Sequence, residues 1–477
     1  MSTVTARAHR TATRSLRPWL PAALSAAGAL GLSLYLALRT YQVDIDVYRM
    51  GGHHLLSPDL YSTRFGNSGL LFTYTPFAAL VFALLGLNLG IWSLQCVWAV
   101  TNIVALAALV YLSIRIVVPR LQRKQVVRWA LLLLLPALAL NPVFNTVGLG
   151  QINLVLCLLI TWDLGTEHRI GSRTLPLGIA TGLAAAVKLT PLIFVPYLIL
   201  TRRGRGAINA IVTFIACQVI AFLVTPGNSW AYWTKDVMDS KRAGALLYSS
   251  DQNLSSALER LHHGPVSALV LVPALVVIGV GGLALAAWAH RRSSVVLGLL
   301  VCATTGLIIS PITWVHHMVW VVPAIIWLEA GADRPRRGPL LAGVTAVLFI
   351  AAPIWWVPTS WKVTTKPPEL HQNSWQILVG NSFLLAMLAF LVGVAVMLVR
   401  RSGVSRRRFS SAALLAPEPR EGLRVAGDRI RAAPHLEEHV GHPGPLVSVG
   451  APEVDLATES LKAVRSGRSE GRVSRVT

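Results

Sequence analysis

Charge is scarce in this chain: only 13% of its 477 residues are Asp, Glu, Lys or Arg, against roughly 25% in an average soluble domain. With 54% hydrophobic residues and a mean hydropathy of +0.58, too few polar side chains remain to cover a large globule, which excludes an ordinary soluble protein. Acidic residues are the scarcest charges, 21 against 43 Lys and Arg. The four cysteines, Cys96, Cys157, Cys217 and Cys302, lie singly inside apolar runs. They show none of the spacings of zinc sites or redox pairs and read as small core or lipid-facing residues. No HExxH pattern, phosphate-binding Walker loop, dinucleotide fingerprint or internal repeat is present, so no metal, cofactor or ATP-driven pump is expected.

What remains is long apolar runs separated by basic clusters, the pattern of an all-α polytopic membrane protein with about 11 to 13 membrane segments. Candidate spans run from Arg17 to Leu38, Leu89 to Val118, Trp129 to Val147 and Gln151 to Leu164. A paired region follows from Leu175 to Leu200. Further spans run from Ala207 to Thr225, Val266 to Ala289, Val295 to Ser310, Val315 to Glu329, Pro339 to Trp356 and Ile377 to Val399. The first run continues to Arg39 without a small-residue cleavage site, so it is expected to stay as an anchor.

The net charge of +22 sits largely at Arg7/Arg10/Arg14/Arg17, Arg120/Arg123/Lys124/Arg128, Arg169/Arg173, Arg202/Arg203/Arg205, Arg291/Arg292, Arg334/Arg336/Arg337 and Arg400/Arg401. A membrane protein keeps such clusters in the cytoplasm, so the basicity does not predict a nucleic-acid partner. This topology gathers residues 41–73, 226–265 and 357–376 on the outer face. Parity then requires that Leu70 to Leu87 be re-entrant or lie along the surface. It also requires that Leu175 to Leu200 go out and back as two short segments meeting near Lys188, a break tolerated only against protein or a wet cavity. Residues 1–16 form a basic cytoplasmic N-terminus and 17–399 the membrane domain. The composition of 400–477 predicts a disordered basic tail whose first arginines lie on anionic headgroups.

Several polar residues stand where polarity is costly. Asp44 and Asp46 lie two apart just after the first span; on an extended loop they share a side, on a helix they diverge. Each can be an interfacial charge, paired for instance with Arg49, or a partly desolvated general base. His316 and His317 open a span, Lys188 lies in the middle of an apolar stretch beside Thr190 and Pro191, and such intramembrane ionisable groups point to a polar ligand. Two imidazoles and one ammonium suit an anion better than a metal. Lys188 could also snorkel to an interface. Gln151 and Asn153 begin another span, where amides bond sugar hydroxyls or glue helices. The outer region 226–265 mixes Trp230, Tyr232 and Trp233 with Asn253 and Arg260, a combination that serves as interface anchors or as a sugar-and-phosphate surface.

Six segments in order, "DIDVY", "FTYTPFAALVF", "GQIN", "GLAAAVKLTPLIF", "DQNLSSALER" and "SPITWVHHMVW", resemble the GT-C glycosyltransferases of family 87. These are actinobacterial, polyprenyl-phosphate-mannose-dependent α-(1→2)-mannosyltransferases that build phosphatidylinositol mannosides, lipomannan and lipoarabinomannan. The resemblance covers about Val43 to Trp320, with a continuation to Val399. It implies a GT-C multi-span bundle in the plasma membrane, an active site facing the periplasm, a lipid-phosphate mannose donor, a glycolipid acceptor and inversion at the anomeric carbon. By position Asp44 resembles the family's first-loop catalytic aspartate. Asp46, Tyr74, Gln151, Asn153, Lys188, Asn253, Arg260, His316 and His317 fall on positions implied to bind substrate. The family's Asn-Gln-Ser-Leu reads Asp251-Gln252-Asn253-Leu254 here. Two other classes use similar groups: a flippase of lipid-linked sugar, whose halves are expected to show pseudo-symmetry, and a GT-C enzyme with another donor, such as an arabinofuranosyl phospholipid.

Overall fold

The computed structural model describes residues 19–65, 69–86, 89–166, 169–170, 173–174 and 176–414. The expected N-terminal basic segment and most of the expected tail lie outside these residues. Helices carry the architecture: α1 (Leu20–Arg39), α2 (Val43–His53), α3 (Pro76–Gly86), α4 (Ile91–Val117), α5 (Arg123–Leu132), α6 (Leu134–Leu138), α7 (Asn141–Leu149), α8 (Asn153–Gly165), α9 (Ile179–Val187), α10 (Phe194–Leu200) and α11 (Gly204–Val224). They continue with α12 (Leu254–Leu261), α13 (Ala268–Arg292), α14 (Val295–Ile309), α15 (Val321–Ala330), α16 (Gly338–Ala351), α17 (Ser374–Gly380) and α18 (Ser382–Leu414). Among the described residues the strands form two two-residue hairpins, Arg64–Phe65 with Leu70–Leu71 and Arg169–Ile170 with Arg173–Thr174.

Among the described residues six helices are long and apolar enough to cross a membrane, and a seventh span results if α7 and α8, bent by 120° at their junction, count as one. Their outward faces are apolar, with Leu223 77% and Val277 70% exposed. Water would not tolerate so much exposed Leu and Val, so these faces meet lipid, and the chain is an all-α multi-pass membrane protein.

Several expected spans are shorter or broken. Trp129 to Val147 is interrupted near Leu133 and Leu140, giving α5, α6 and α7; Pro136 and Pro142 each remove a backbone donor there. α7 ends at Gly150 in the left-handed region, φ 74°, where an added Cβ would come within 2.3 Å of Ile45. That close approach places Gln151 beside α2. The segment from Leu70 does not span: the 11-residue α3 reaches only about 16 Å. Helix α18 continues past position 400, the expected start of the tail, as far as Leu414.

The paired region folds as parity demanded. α9 stops at Lys188, whose backbone is extended (φ −143°, ψ 128°), and a 3-10 turn, Thr190–Ile193, leads into α10. Leu177 at one end of this hairpin and Leu198 at the other both meet Gly206, so the two limbs return to one level with Lys188 at the turn. The turn is tied down by Thr75 and Gln218, both donating to the carbonyl of Ala186.

Candidate active site

The helix that follows α1 separates the two carboxylates. Asp44 and Asp46 lie on the helix α2, not on an extended loop, so they diverge by about 200°. Asp46 accepts from the Tyr41 hydroxyl at 2.8 Å and pairs neither with Arg49 nor with the cluster described next. Asp44 faces inward, where Gln151 hydrogen-bonds it and the positive charge of Lys188 acts on it. Burial, by stripping water from the charged form, raises its carboxyl from 3.8 to about 6 against the lowering effects of Gln151 and Lys188.

Gln151 is the hub. Its Oε1 lies 3.0 Å from the Tyr48 hydroxyl and 3.1 Å from that of Tyr74, and the two hydroxyls are 2.8 Å apart. The Asn153 amide approaches the same oxygen at 3.4 Å. Two contacts hold α7 where its end can present this glutamine: Gln42 donates to the carbonyl of Val147 at 2.8 Å, and Ile45 fills the space beside Gly150.

Lys188 completes the cluster. Its ammonium donates to Asn153 Oδ1 at 3.0 Å, lies 2.8 Å from His317 Nε2, and sits 5.6 Å from the centre of the Tyr74 ring. With the ammonium donating, His317 accepts through Nε2 and carries its own proton on Nδ1. The lysine therefore does not snorkel; it is held at the hairpin turn by polar partners. His316 packs edge-on against His317, centroids 4.9 Å apart, and neither of its ring nitrogens has a partner among the described residues. Beside the cluster lies a small, partly open cavity of about 50 Å³, lined by Asn153, Thr190 and His317 among its polar residues and by Ile160, Phe194 and Leu307 among its apolar ones.

The structure thus brings Asp44, Tyr74, Gln151, Asn153, Lys188, His316 and His317 together. It adds Tyr48, buried between Phe82 and Trp98, which the sequence reading missed. Its signal was its spacing, four residues after Asp44 on a helix and so on the same face.

Asn253 and Arg260, expected to bind substrate, bond instead to their own scaffold and to none of the residues of the cluster. Asn253 caps α12 by accepting from Ser256 N at 2.7 Å and donates to the carbonyl of Pro311 at 2.8 Å. Arg260, fully buried, donates to Asn381 Oδ1 at 2.6 Å, to the carbonyl of Asp251 at 2.8 Å and to that of Leu247 at 3.2 Å. Asp251 in turn accepts from Thr313 N at 2.7 Å. These residues secure the strand-like segment before Val315 that presents the two histidines; the reason is that every outward-reaching atom is already committed to the scaffold. Arg260→Met is accordingly expected to lower stability by about 3 kcal/mol or more, since it leaves buried acceptors unpaired. Thermal unfolding in detergent measures this, and an unchanged midpoint would remove the scaffold role.

Similarity to known proteins identifies the family. A profile described as Glycosyltransferase family 87 matches residues 72–311. The chain is 32% identical over 378 residues, 74% of its length and 84% of the relative's, to a polyprenol-phosphate-mannose-dependent alpha-(1-2)-phosphatidylinositol mannoside mannosyltransferase of Mycobacterium tuberculosis. It is 31% identical over 411 residues, 80% of its length and 89% of the relative's, to the protein of the same description in Mycolicibacterium smegmatis. A polyprenol-phosphate-mannose-dependent alpha-(1-2)-phosphatidylinositol pentamannoside mannosyltransferase of Mycobacterium tuberculosis is 32% identical over 67% of this chain and 75% of its own. No solved structure matches. A match to the family profile over half the chain, and to these relatives over most of it, places this protein in glycosyltransferase family 87.

Proposed function

We propose that this chain transfers mannose from a polyprenyl-phosphate mannose to a phosphatidylinositol mannoside, forming an α-(1→2) linkage with inversion, at the periplasmic face of the plasma membrane. The observation that carries the reading is the convergence of Asp44, held by Gln151, with Lys188, held by Asn153 and His317. Asp44 takes the proton of the acceptor hydroxyl as its oxygen attacks the anomeric carbon from the face opposite the phosphate. The anomeric C–O bond breaks, its electrons leave with the lipid phosphate, and Lys188 offsets the charge that develops there. Tyr48, Tyr74 and Gln151 orient the carboxylate, and the exposed apolar helix faces meet the lipid chains. Lipomannan and lipoarabinomannan present similar mannose hydroxyls and are further acceptors on this reading.

Membranes carrying the protein, supplied separately with radiolabelled mannosyl and arabinosyl polyprenyl phosphates, test the donor. Mannose incorporation with a 2-linked product on linkage analysis is expected. Incorporation of arabinose alone, or translocation of donor without transfer, would transfer the assignment to one of the other two classes.

The outer-face location rests on the basic clusters. In a background lacking the native cysteines, a cysteine at the exposed Met238 is expected to react with an impermeant maleimide in intact cells, and one at the exposed Arg205 to stay unlabelled. Labelling at 205 would reverse the orientation.

A further inference from the structure

Beyond the reacting cluster, three half-buried aromatic side chains stand side by side where segments distant in sequence meet. The Tyr248 ring lies 5.6 Å from that of Trp355 and 6.2 Å from that of Trp314, centroid to centroid. Trp314 is one turn before the histidine pair, its carbonyl accepting from His317 N at 2.8 Å. Trp355 donates through its indole nitrogen to Asn141 Oδ1 at 3.2 Å, at the start of α7. That nine-residue helix ends at the Gln151 hub, so the aromatic group lies about 13 Å along α7 from the reacting end.

Two features separate this group from ordinary packing. Neither the Tyr248 hydroxyl nor the Trp314 indole nitrogen has a hydrogen-bond partner among the described residues, and neither is sealed from solvent. Both rings therefore offer an apolar face together with a free polar handle, the combination that suits a ligand with hydroxyls on its rim and C–H groups on its face. Asn145, one turn after Asn141 on the same side of α7, donates to the Asn141 carbonyl at 2.9 Å, which fixes the amide on that side.

We propose that Tyr248, Trp314 and Trp355 form a remote subsite for the glycan of the acceptor, gripping a mannose some sugars back from the one that receives the new residue. The identity of the ligand as an acceptor rests on the transferase reading; the subsite as a sugar-binding surface does not. Its consequence is a preference for acceptors long enough to reach from the platform to Asp44, so the platform sets chain-length specificity.

Calorimetry on the full chain in detergent, with α-(1→2)-linked mannotetraose and with free mannose as probes, tests the subsite without turnover. Wild type is expected to bind the tetrasaccharide more tightly than mannose. Tyr248→Leu, which keeps apolar volume and removes the ring, should weaken tetrasaccharide binding about tenfold, the scale of one aromatic anchor, with an unchanged unfolding midpoint. Tyr248→Phe, which removes only the hydroxyl, should give a smaller loss and guards against a folding defect in the leucine variant. Equal binding of tetrasaccharide and mannose, or equal tetrasaccharide binding by wild type and both variants, would overturn the proposal. Parallel mannose-transfer assays keep the two claims apart: absent transfer with Tyr248-dependent sugar binding defeats the transferase reading and leaves the subsite standing.

Discussion

Asp44→Asn is expected to lower turnover on the order of 10²-fold or more while insertion and donor binding survive. The substitution keeps the shape of the side chain and its contact with Gln151 but removes the basic oxygen that accepts the acceptor's proton. Asp46→Asn should change the rate little, because Asp46 faces away and holds the Tyr41 hydroxyl. The pH dependence carries the same assignment. A base works only when ionised, and burial raises the Asp44 carboxyl to about 6. Activity should therefore be flat above about pH 7 and fall, approaching tenfold per unit, once the pH drops below 6. In Asp44→Asn the residual rate should lose that limb. Initial rates for both variants across this range, in membranes matched for protein content, decide the matter. If Asp46→Asn abolished transfer while Asp44→Asn stayed active, the roles would be reversed; normal rates in both would make the loop structural and favour the flippase.

Lys188→Met is expected to reduce donor use by roughly tenfold to a hundredfold, the effect of losing a desolvated charge-assisted contact worth on the order of 1.5–3 kcal/mol. Methionine retains an unbranched stem, so the turn between α9 and α10 should persist. The loss has a second part: Asn153 Oδ1 and His317 Nε2 both spend their contacts on this ammonium, and its removal frees them to reorient. Rates at saturating and limiting donor separate these effects, since loss of phosphate stabilisation lowers the maximal rate and loss of binding raises the Michaelis constant. A variant that inserts correctly and turns over normally would leave the lysine a structural role at the hairpin turn.

How legible each feature was follows from its physics. A lysine in an apolar stretch followed by Thr-Pro announces both a costly charge and a chain break, and the structure has the break at that residue. The histidine pair was conspicuous for the same energetic reason. Arg260 and Asn253 were equally conspicuous by type, yet their donors serve carbonyls and amides of their own scaffold; residue type states that a partner is needed, not whether the partner is ligand or protein. Tyr48 drew no attention because a tyrosine near an interface is ordinary, and only its contact with Tyr74 and Gln151 gives it a place in the site. The expected span from Trp129 to Val147 failed at Pro136 and Pro142, where apolar composition persists while the helix does not.

Composition and the placement of basic clusters were enough to establish lipid as the main solvent and to require a hairpin turn at Lys188, because the energy of moving charge and backbone out of water depends on residue type and run length alone. Which polar side chains meet was decided by the folded chain. The site draws on positions 44, 74, 151, 188 and 317, and their convergence depends on where α2 turns Asp44 inward, on how closely Gly150 lets Ile45 approach, and on the tie from Thr75 to Ala186. Those are packing relations between distant segments, and the cost of leaving a polar group unpaired in lipid is the same whichever partner relieves it.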